Sequence, residues 1–335
     1  MARKPTMAEL ARVAEVDVST VSRALSDSPR VKQSTKDHIR EIADKIGYEV
    51  NVTARNLRKQ STETIGVAVP VDPAWGQTIS DPFYLEMLGA VSTAAAKRGY
   101  DLLLTVPQND ARVAERRLLR SGKVDGLIII GQADRADRLN SLSQITDKFV
   151  VWGGVFDDAR YTIVGSDNIE GGRSATLHLL GQGRTRILFV GDTSLPEVAL
   201  RHEGFRKAHQ ERGVEVIPDL ALPVGFGARN TAAFVTQKIV EGEKFDAIFA
   251  ASDVLAMSAM AAVTQAGLKI PTDVAVVGYD NVTASATAMP PLTTIDQNVA
   301  YGGEMMVDLL LKKIRGEKVR SALTPTELVV RRSSH

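Results

Sequence analysis

The chain has 335 residues, 44% of them hydrophobic, 24% charged and 5% aromatic, with 41 basic against 40 acidic side chains. That length and apolar fraction predict two or three globular domains and exclude a disordered or fibrous chain. With no cysteine, a disulfide scaffold, a thiol nucleophile and a thiolate zinc site are excluded; with no apolar leader or long uncharged apolar run, no membrane partner is expected and the cytoplasm is the expected location.

The near-neutral total conceals an uneven distribution. Residues 1–60 carry twelve Lys/Arg and eight Asp/Glu, a net +4, and the remainder a net −3. A small basic head whose only aromatic is Tyr48 suits either nucleic acid or a solvated helical surface. Thr6-Met7-Ala8-Glu9 forms a capping box, and Leu10, Ala11, Val13 and Ala14 give the helix that follows an apolar stripe. The stripe breaks at Glu15-Val16-Asp17, where Asp17 is placed to cap a second helix from Val18 to about Leu25. Two short helices about a turn of roughly three residues fit a helix-turn-helix. A third helix starts near Ser34, turns Ile39, Ile42, Ala43 and Ile46 inward and stops at Gly47. The expected core is Leu10, Val13, Val21, Leu25, Ile39, Ile42 and Ile46.

A helix entering a major groove needs short polar groups and one long donor on its outer face. Ser19, Thr20, Ser22 and Arg23 supply them. The planar fork of Arg23 matches guanine O6 and N7, Thr20 and Ser22 suit phosphates, and Val18 suits a thymine methyl. Thr6 is counted with them as a DNA-binding candidate. The run Asn51 to Lys59 is short and basic, with Leu57 its one large apolar residue. So short a helix is marginal in water and folds when a partner supplies contacts, unless it is a plain linker.

From Ser61 onward, buried apolar runs alternate with amphipathic helices. The expected strands are Ile65–Val71, Asp101–Thr105, Gly126–Ile130, Phe149–Trp152, Ile163–Ser166, Ile187–Val190, Ala247–Ala250 and Val274–Tyr279. Such alternation predicts parallel sheets covered on both faces, and so many strands predict two lobes. Ligands of open α/β sheets sit outside the carboxyl ends of the strands. The polar groups there are Asp81-Pro-Phe83-Tyr84, Trp152-Gly153-Gly154, Ser166-Asp167-Asn168, Gly191-Asp192-Thr193, Ser252-Asp253 and Tyr279-Asp280-Asn281, with Arg201 in the helix after Gly191. Carboxylates and an arginine suit the hydroxyls of a polyhydroxylated ligand, and Trp152, Phe83 or Phe226 can cover a ring face. Asp167 and Asp253 also read as helix caps. No phosphate-binding glycine loop, nucleophile–base motif or metal-ligand spacing of histidines occurs, so no cofactor, metal or catalytic residue is expected.

The run from Met7 to Leu57, with Asp17-Val-Ser-Thr-Val-Ser-Arg-Ala-Leu25, Gly47-Tyr48, Asn51 and Ala54, resembles the LacI/GalR repressor family. Val164-Gly-Ser-Asp-Asn168, Arg201-His-Glu-Gly-Phe205, Ala251-Ser-Asp253, Asp273 to Asp280 and Pro291-Leu-Thr-Thr-Ile295 resemble that family's effector core, which shares its fold with periplasmic sugar-binding proteins. The resemblance implies an all-α helix-turn-helix domain at 1–48, a hinge helix or linker at 49–60, and a two-lobed α/β core of doubly wound parallel sheets at 61–335. The first lobe would hold about 61–166 and 297–325, the second about 167–296 and 326–335. It further implies a repressor that binds a pseudo-palindromic operator in double-stranded DNA as a homodimer under control of a small ligand, a sugar or glycoside. Asn51, Ala54, Arg55, Leu57 and Arg58 would serve the hinge, with Leu57 wedged into the minor groove. Arg201 and Asp280 would bind ligand hydroxyls in a pocket also lined by Ser252 and Phe226, to which the strand-end reading adds Phe83, Tyr84 and Trp152. The sequence departs from the family at Val50, where proline is usual, at Asp17, where serine is usual, and at Gly153, where some members place an aspartate. Pro73–Ser80 resembles an insertion at the cleft and brings Trp75 and Gln77 near it. No leucine-heptad tail follows Leu328-Val-Val330, which favours a dimer over a tetramer. The alternatives are a sugar-binding receptor and a carboxylate-based sugar enzyme on the same core.

Overall fold

The computed structural model describes residues 5–48, 61–71, 77–107, 111–132, 136–225 and 228–335. The chain divides into two compact units, Met1–Thr62 and Glu63–His335.

The first unit contains α1 (Met7–Val13), α2 (Val18–Leu25) and α3 (Gln33–Ile46). The capping box forms: Thr6 Oγ1 accepts from the Glu9 amide at 3.2 Å and Glu9 Oε2 from the Thr6 amide at 2.7 Å. Asp17 behaves differently from expectation. It is the N-cap residue of α2, yet its side chain makes no capping bond. The helix start is held by the Asp17 carbonyl, which accepts from the Thr20 and Val21 amides at 2.8 and 3.0 Å. Gly47 closes α3 in the left-handed region, φ 67°, where a side chain is strained. Leu10, Ala11, Ala14, Val21, Ala24, Ile39 and Ala43 form the core, with Leu25, Ile42 and Ile46 packed around it. Val13 is a correction to the expected core, being 44% exposed. The buried stripe of α1 runs through Leu10, Ala11 and Ala14, and Val13 lies on the helix's other side. Asp27 clamps the turn between α2 and α3, paired with Lys36 at 3.1 Å and Arg40 at 3.0 Å.

The second unit runs β1 (Thr64–Ala68), α4 (Pro82–Ala96), β2 (Asp101–Thr105), α5 (Ala111–Arg120), β3 (Gly126–Ile130), α6 (Ala136–Ser143), β4 (Phe149–Trp152), β5 (Thr162–Ser166), α7 (Asn168–Gly181), β6 (Ile187–Val190), α8 (Pro196–Arg212), β7 (Ala221–Leu222), α9 (Ala228–Val240), β8 (Ala247–Ala250), α10 (Asp253–Gln265), β9 (Ala275–Asp280), α11 (Thr283–Thr287), β10 (Thr293–Asp296), α12 (Val299–Ile314), β11 (Ala322–Thr324) and β12 (Glu327–Val329). Two six-stranded sheets result, ordered β11-β5-β4-β3-β1-β2 and β12-β10-β9-β8-β6-β7. The runs GLIII and FVVW are buried along their whole length because helices cover both faces of the sheet. One pairing departs from the expected parallel order: β12 runs antiparallel to β10. The expectation also missed the short strands β7, β10, β11 and β12, too brief to carry an apolar run of their own.

The chain crosses between the sheets three times, after β5, after β10 and after β11. Two close approaches fix what lies beside those crossings. A Cβ on Gly165 would overlap the carbonyl oxygen of Gly153, so the ends of β4 and β5 meet at backbone distance. Between α7 and α8, a Cβ on Gly172 would overlap the Arg201 carbonyl oxygen and one on Gly204 the Ile169 carbonyl oxygen. Those glycines let the two helices touch backbone to backbone and set the position of Arg201.

Candidate functional site

On the first unit, α2 turns Val21 and Ala24 into the core. Its other side carries Ser19 and Arg23, both exposed, Val18, 45% exposed, and the half-buried Thr20 and Ser22. Ser19 and Arg23, and Val18 and Ser22, are each four residues apart, which puts them on one outward face. The Thr6 hydroxyl is engaged in the capping box, where it also lies 3.1 Å from Glu9 Oε2. Asn51, Ala54, Arg55, Leu57 and Arg58 lie outside the described residues.

Within the second unit the carboxyl ends of the two sheets line a cleft between them, the place where ligands of open α/β sheets sit. It brings together six of the seven residues expected there: Phe83, Tyr84, Trp152, Arg201, Ser252 and Asp280. The seventh, Phe226, lies outside the described residues, as does Trp75; Gln77 lines the cleft. Asp81 caps α4, accepting from the Phe83 amide at 2.9 Å, and Pro82 occupies the first helical turn. This cap aims Phe83 and Tyr84 at Trp152, with Phe83 5.7 Å from Tyr84 and 6.4 Å from Trp152 between ring centroids.

The second-lobe wall is charged. Arg201 is 5% exposed. Its Nε donates to Asn168 Oδ1 at 2.8 Å, Nη1 donates to the Ala251 carbonyl, and its guanidinium lies 3.8 Å over the Tyr279 ring. Asp280 Oδ1 stands 3.9 Å from Arg201 Nη1 and accepts from Gln297 Nε2 at 2.5 Å. Gln297 Oε1 in turn accepts from Ser166 Oγ at 2.6 Å. Ser166 ends β5, Gln297 follows β10 and Asp280 ends β9, so this chain of bonds ties two crossings to the cleft. Burial pushes the Asp280 carboxyl well above the usual carboxylate range, and Arg201 pulls it part of the way back. Asp280 also holds φ at 122°, in a region unfavourable for any side chain. Burial likewise raises Tyr279 to about 12.

Asp253 takes a different role from the expected cap. Ser252 is the N-cap of α10, accepting from the Leu255 amide at 3.3 Å. The buried Asp253 accepts from Thr294 Oγ1 at 2.5 Å and from the Val282 amide at 2.9 Å, joining three segments behind the cleft. Burial raises its carboxyl to about 7. Asp167, by contrast, is a cap, accepting from the Glu170 amide at 3.0 Å. His202 packs on Phe189 and Phe205, with centroids 4.8 and 5.6 Å away, along α8 and outside the cleft lining.

The residue that most shapes the first-lobe wall was not singled out from sequence. Gln132 is buried two positions beyond β3, and its amide is used on the protein itself. Nε2 donates to the Gly154 carbonyl at 2.9 Å and to Tyr161 Oη at 3.1 Å, while Oε1 accepts from the Gly154 amide at 2.9 Å. A Cβ on Gly153 would come within 2.5 Å of Gln132. Gly153 is therefore required by its neighbour, and no carboxylate fits there while Gln132 keeps its place. The strand-end rule applied to Gly131-Gln132 would have found it. Gln297 was hidden because β10 was, and Leu195 and Glu197, on the loop and first turn of α8, carry no strand signal.

Among the described residues no group of His, Asp or Glu is arranged to hold a metal ion, and no helix is long and apolar enough to cross a membrane.

Residues 6–51 match the model of bacterial regulatory proteins of the lacI family, and residues 176–334 that of a periplasmic binding protein-like domain. The chain is 30% identical to an HTH-type transcriptional repressor, PurR, of Haemophilus influenzae (strain PittEE), covering 98% of each sequence. It is similar to the crystal structure of a lac repressor dimer bound to operator and the anti-inducer ONPF, with TM-score 0.87, 26% identity and 99% of each chain covered. It is also similar to a complex of the transcriptional regulator CelR with cellobiose, with TM-score 0.71, 27% identity, and 98% of this chain and 100% of that one covered.

Proposed function

The chain belongs to the lacI family of bacterial regulatory proteins, DNA-binding transcriptional repressors and not enzymes, and on that premise we propose that a sugar or glycoside in the inter-lobe cleft sets its affinity for a pseudo-palindromic operator bound by a homodimer. The observation that carries the ligand part is the convergence of Arg201, Asp280 and Ser252 on Phe83, Tyr84 and Trp152 across one cleft. Carboxylate and guanidinium hydrogen-bond hydroxyls, and the rings cover an apolar sugar face. The cellobiose held by CelR is a precedent for a sugar in such a core, and the lac repressor dimer on operator is one for the assembly.

In this reading each head lays α2 in a major groove. Arg23 reads a base, Ser19, Thr20 and Ser22 set register on phosphates, Val18 meets a thymine methyl, and Thr6 lies near the backbone. Asn51, Ala54, Arg55, Leu57 and Arg58 engage the minor groove at the dyad, Leu57 as the wedge. The ligand acts by binding one lobe arrangement more tightly than the other, since equal affinity shifts nothing. A coupling of about 1–3 kcal/mol changes operator affinity about 5- to 150-fold. The test is selection of bound duplexes from a random pool. Enrichment of an inverted repeat, with specificity relaxed at one base pair per half-site in Arg23→Ala, is expected. A bound pool with no two-fold symmetry overturns the operator assignment, and unchanged base preference in the variant overturns the role of Arg23.

A further inference from the structure

Three consecutive amides beyond β9 are each taken by a side chain. The Asn281 amide donates to Thr294 Oγ1 at 3.3 Å and the Val282 amide to Asp253 Oδ2 at 2.9 Å, both within the second lobe. The third breaks the pattern. The Thr283 amide donates to Glu86 Oε1 at 2.8 Å, and Glu86 lies on α4 of the first lobe. Thr283 is the first residue of α11, and Val282, at the N-cap, has no side-chain oxygen to accept the bond. A carboxylate of one lobe thus does for a helix of the other what that helix's own cap residue would do.

The bond lies beside the cleft on both sides. Glu86 comes one turn after Phe83 on the same face of α4, and Thr283 comes three residues after Asp280. Both supports are stiff. Met87 and Val91 hold α4 in the first-lobe core. Asn281 Oδ1 accepts from Arg331 Nη2 at 2.7 Å and its Nδ2 donates to Asp296 Oδ2 at 3.1 Å, which pins the turn before α11. A parting of the lobes at this edge therefore breaks the bond rather than stretching either support.

We propose that Glu86 is a positioning residue that latches the two lobes and favours the observed arrangement over a wider one before any ligand arrives. The inference goes beyond the ligand reading and holds whichever ligand the cleft takes; only its link to operator affinity rests on that reading. A half-buried carboxylate accepting from an amide is strong enough to bias two arrangements and, with water nearby, weak enough to be broken and remade. The latch raises the fraction of molecules already in one arrangement, and a ligand's apparent affinity for that arrangement scales with the fraction.

The experiment uses the full-length chain, whose lack of cysteine allows spin labels at two introduced sites. Lys123→Cys and Lys244→Cys are exposed positions shortly before β3 and β8, at the amino ends of the two sheets and so on the far sides of the two lobes from the cleft. Labelled chain is diluted with unlabelled chain, and the separation is read by double electron–electron resonance. Glu86→Ala removes the acceptor. Thr283→Pro removes the donor at a first helical position, where proline is tolerated, and Val282 already has the extended backbone, ψ 150°, that suits a following proline.

Each variant should raise the ratio of the longer to the shorter separation about fivefold, and the double variant no further, since both changes break one bond. Glu86→Gln keeps an acceptor oxygen and should lie nearer the parent than Glu86→Ala. Circular dichroism confirms that each variant is folded. Single variants with the parent's distance distribution overturn the latch, as does a double variant whose change is the product of the two single changes. Operator affinity is measured alongside on the duplex recovered by selection. A shift shared by the two single variants supports the link to DNA; wider lobes with unmoved operator affinity overturn that link and leave the latch standing.

Discussion

On the first-lobe side of the cleft the polar groups are turned inward on the protein. The Gln132 amide meets the backbone N–H and carbonyl of Gly154, Gly153 has no room for a side chain, and the cavity lining on this side is dominated by Phe83, Tyr84 and Trp152, with Gln77 and the capping Asp81 beside them. On the second-lobe side charge faces the cavity, with Arg201 and Asp280 buried 3.9 Å apart and Asp280 bound to a glutamine from a crossing strand. The first wall is fixed by shape and cannot respond to a ligand without repacking. The second wall holds a buried carboxyl and guanidinium in contact, and it is bonded directly to the segments that join the lobes. The contrast is between a wall fixed by packing and a wall fixed by hydrogen bonds and charge.

Three experiments press on that contrast. The largest effect is expected at Gly165, where even one methyl would collide with the Gly153 carbonyl oxygen. Gly165→Ala should lower stability by about 3 kcal/mol in urea unfolding, and a loss below about 0.5 kcal/mol would show that the shape of this wall is not constrained. Next comes Gly153→Asp, which restores the acid that some relatives place there but meets Gln132 at 2.5 Å. It should cost about 2 kcal/mol alone, and adding Gln132→Ala should recover about 1 kcal/mol, a non-additivity expected of touching residues. Strict additivity would separate the two positions.

The support behind the charged wall is tested through pH. Asp253 carries a carboxyl raised from 3.8 to about 7 in the folded chain. A raised carboxyl favours the fold while protonated, so its contribution is complete below about pH 4 and is lost as pH rises through about 7. Asp253→Asn should flatten the fall in urea midpoint across that window. Part of the slope should persist, because burial also raises Asp280 and Asp81. An unchanged profile would remove Asp253 from the titrating groups.

The first unit was legible because its signals are local. A capping box, an apolar stripe and a terminal glycine lie within a few residues of what they organise, and α2 spans Val18–Leu25 as its pattern predicts. The miss at Asp17 has the same origin: residue type shows that a cap is possible, while the observed bonds go to its carbonyl. A small pair of effects distinguishes them. Thr6→Ala should cost about 1 kcal/mol and Asp17→Ala only a few tenths, read from thermal unfolding; equal losses would restore the Asp17 side chain as a cap.

In the second unit the long strands and most cleft residues were readable, because buried β runs are continuous and ligand groups follow their carboxyl ends. The remainder depends on chain crossings that no short window contains. Gln297 is brought to Asp280 by β10, Thr294 to Asp253 by the same strand, and Gln132 to Gly153 by the neighbouring ends of β3 and β4. Periodicity cannot reveal such meetings, and for Asp253 it favoured the nearer helix end over the true partners across the sheet.

The central claim is that occupancy of the cleft alters operator affinity, and Arg201→Ala tests it most directly. Operator affinity is measured by fluorescence anisotropy, for the parent chain and the variant, with and without a sugar that raises the parent's melting temperature. The account predicts that the sugar changes the parent's affinity by about 5- to 150-fold and leaves the variant's affinity for the same duplex unmoved. A variant that still binds operator and responds to the sugar as the parent does would contradict it.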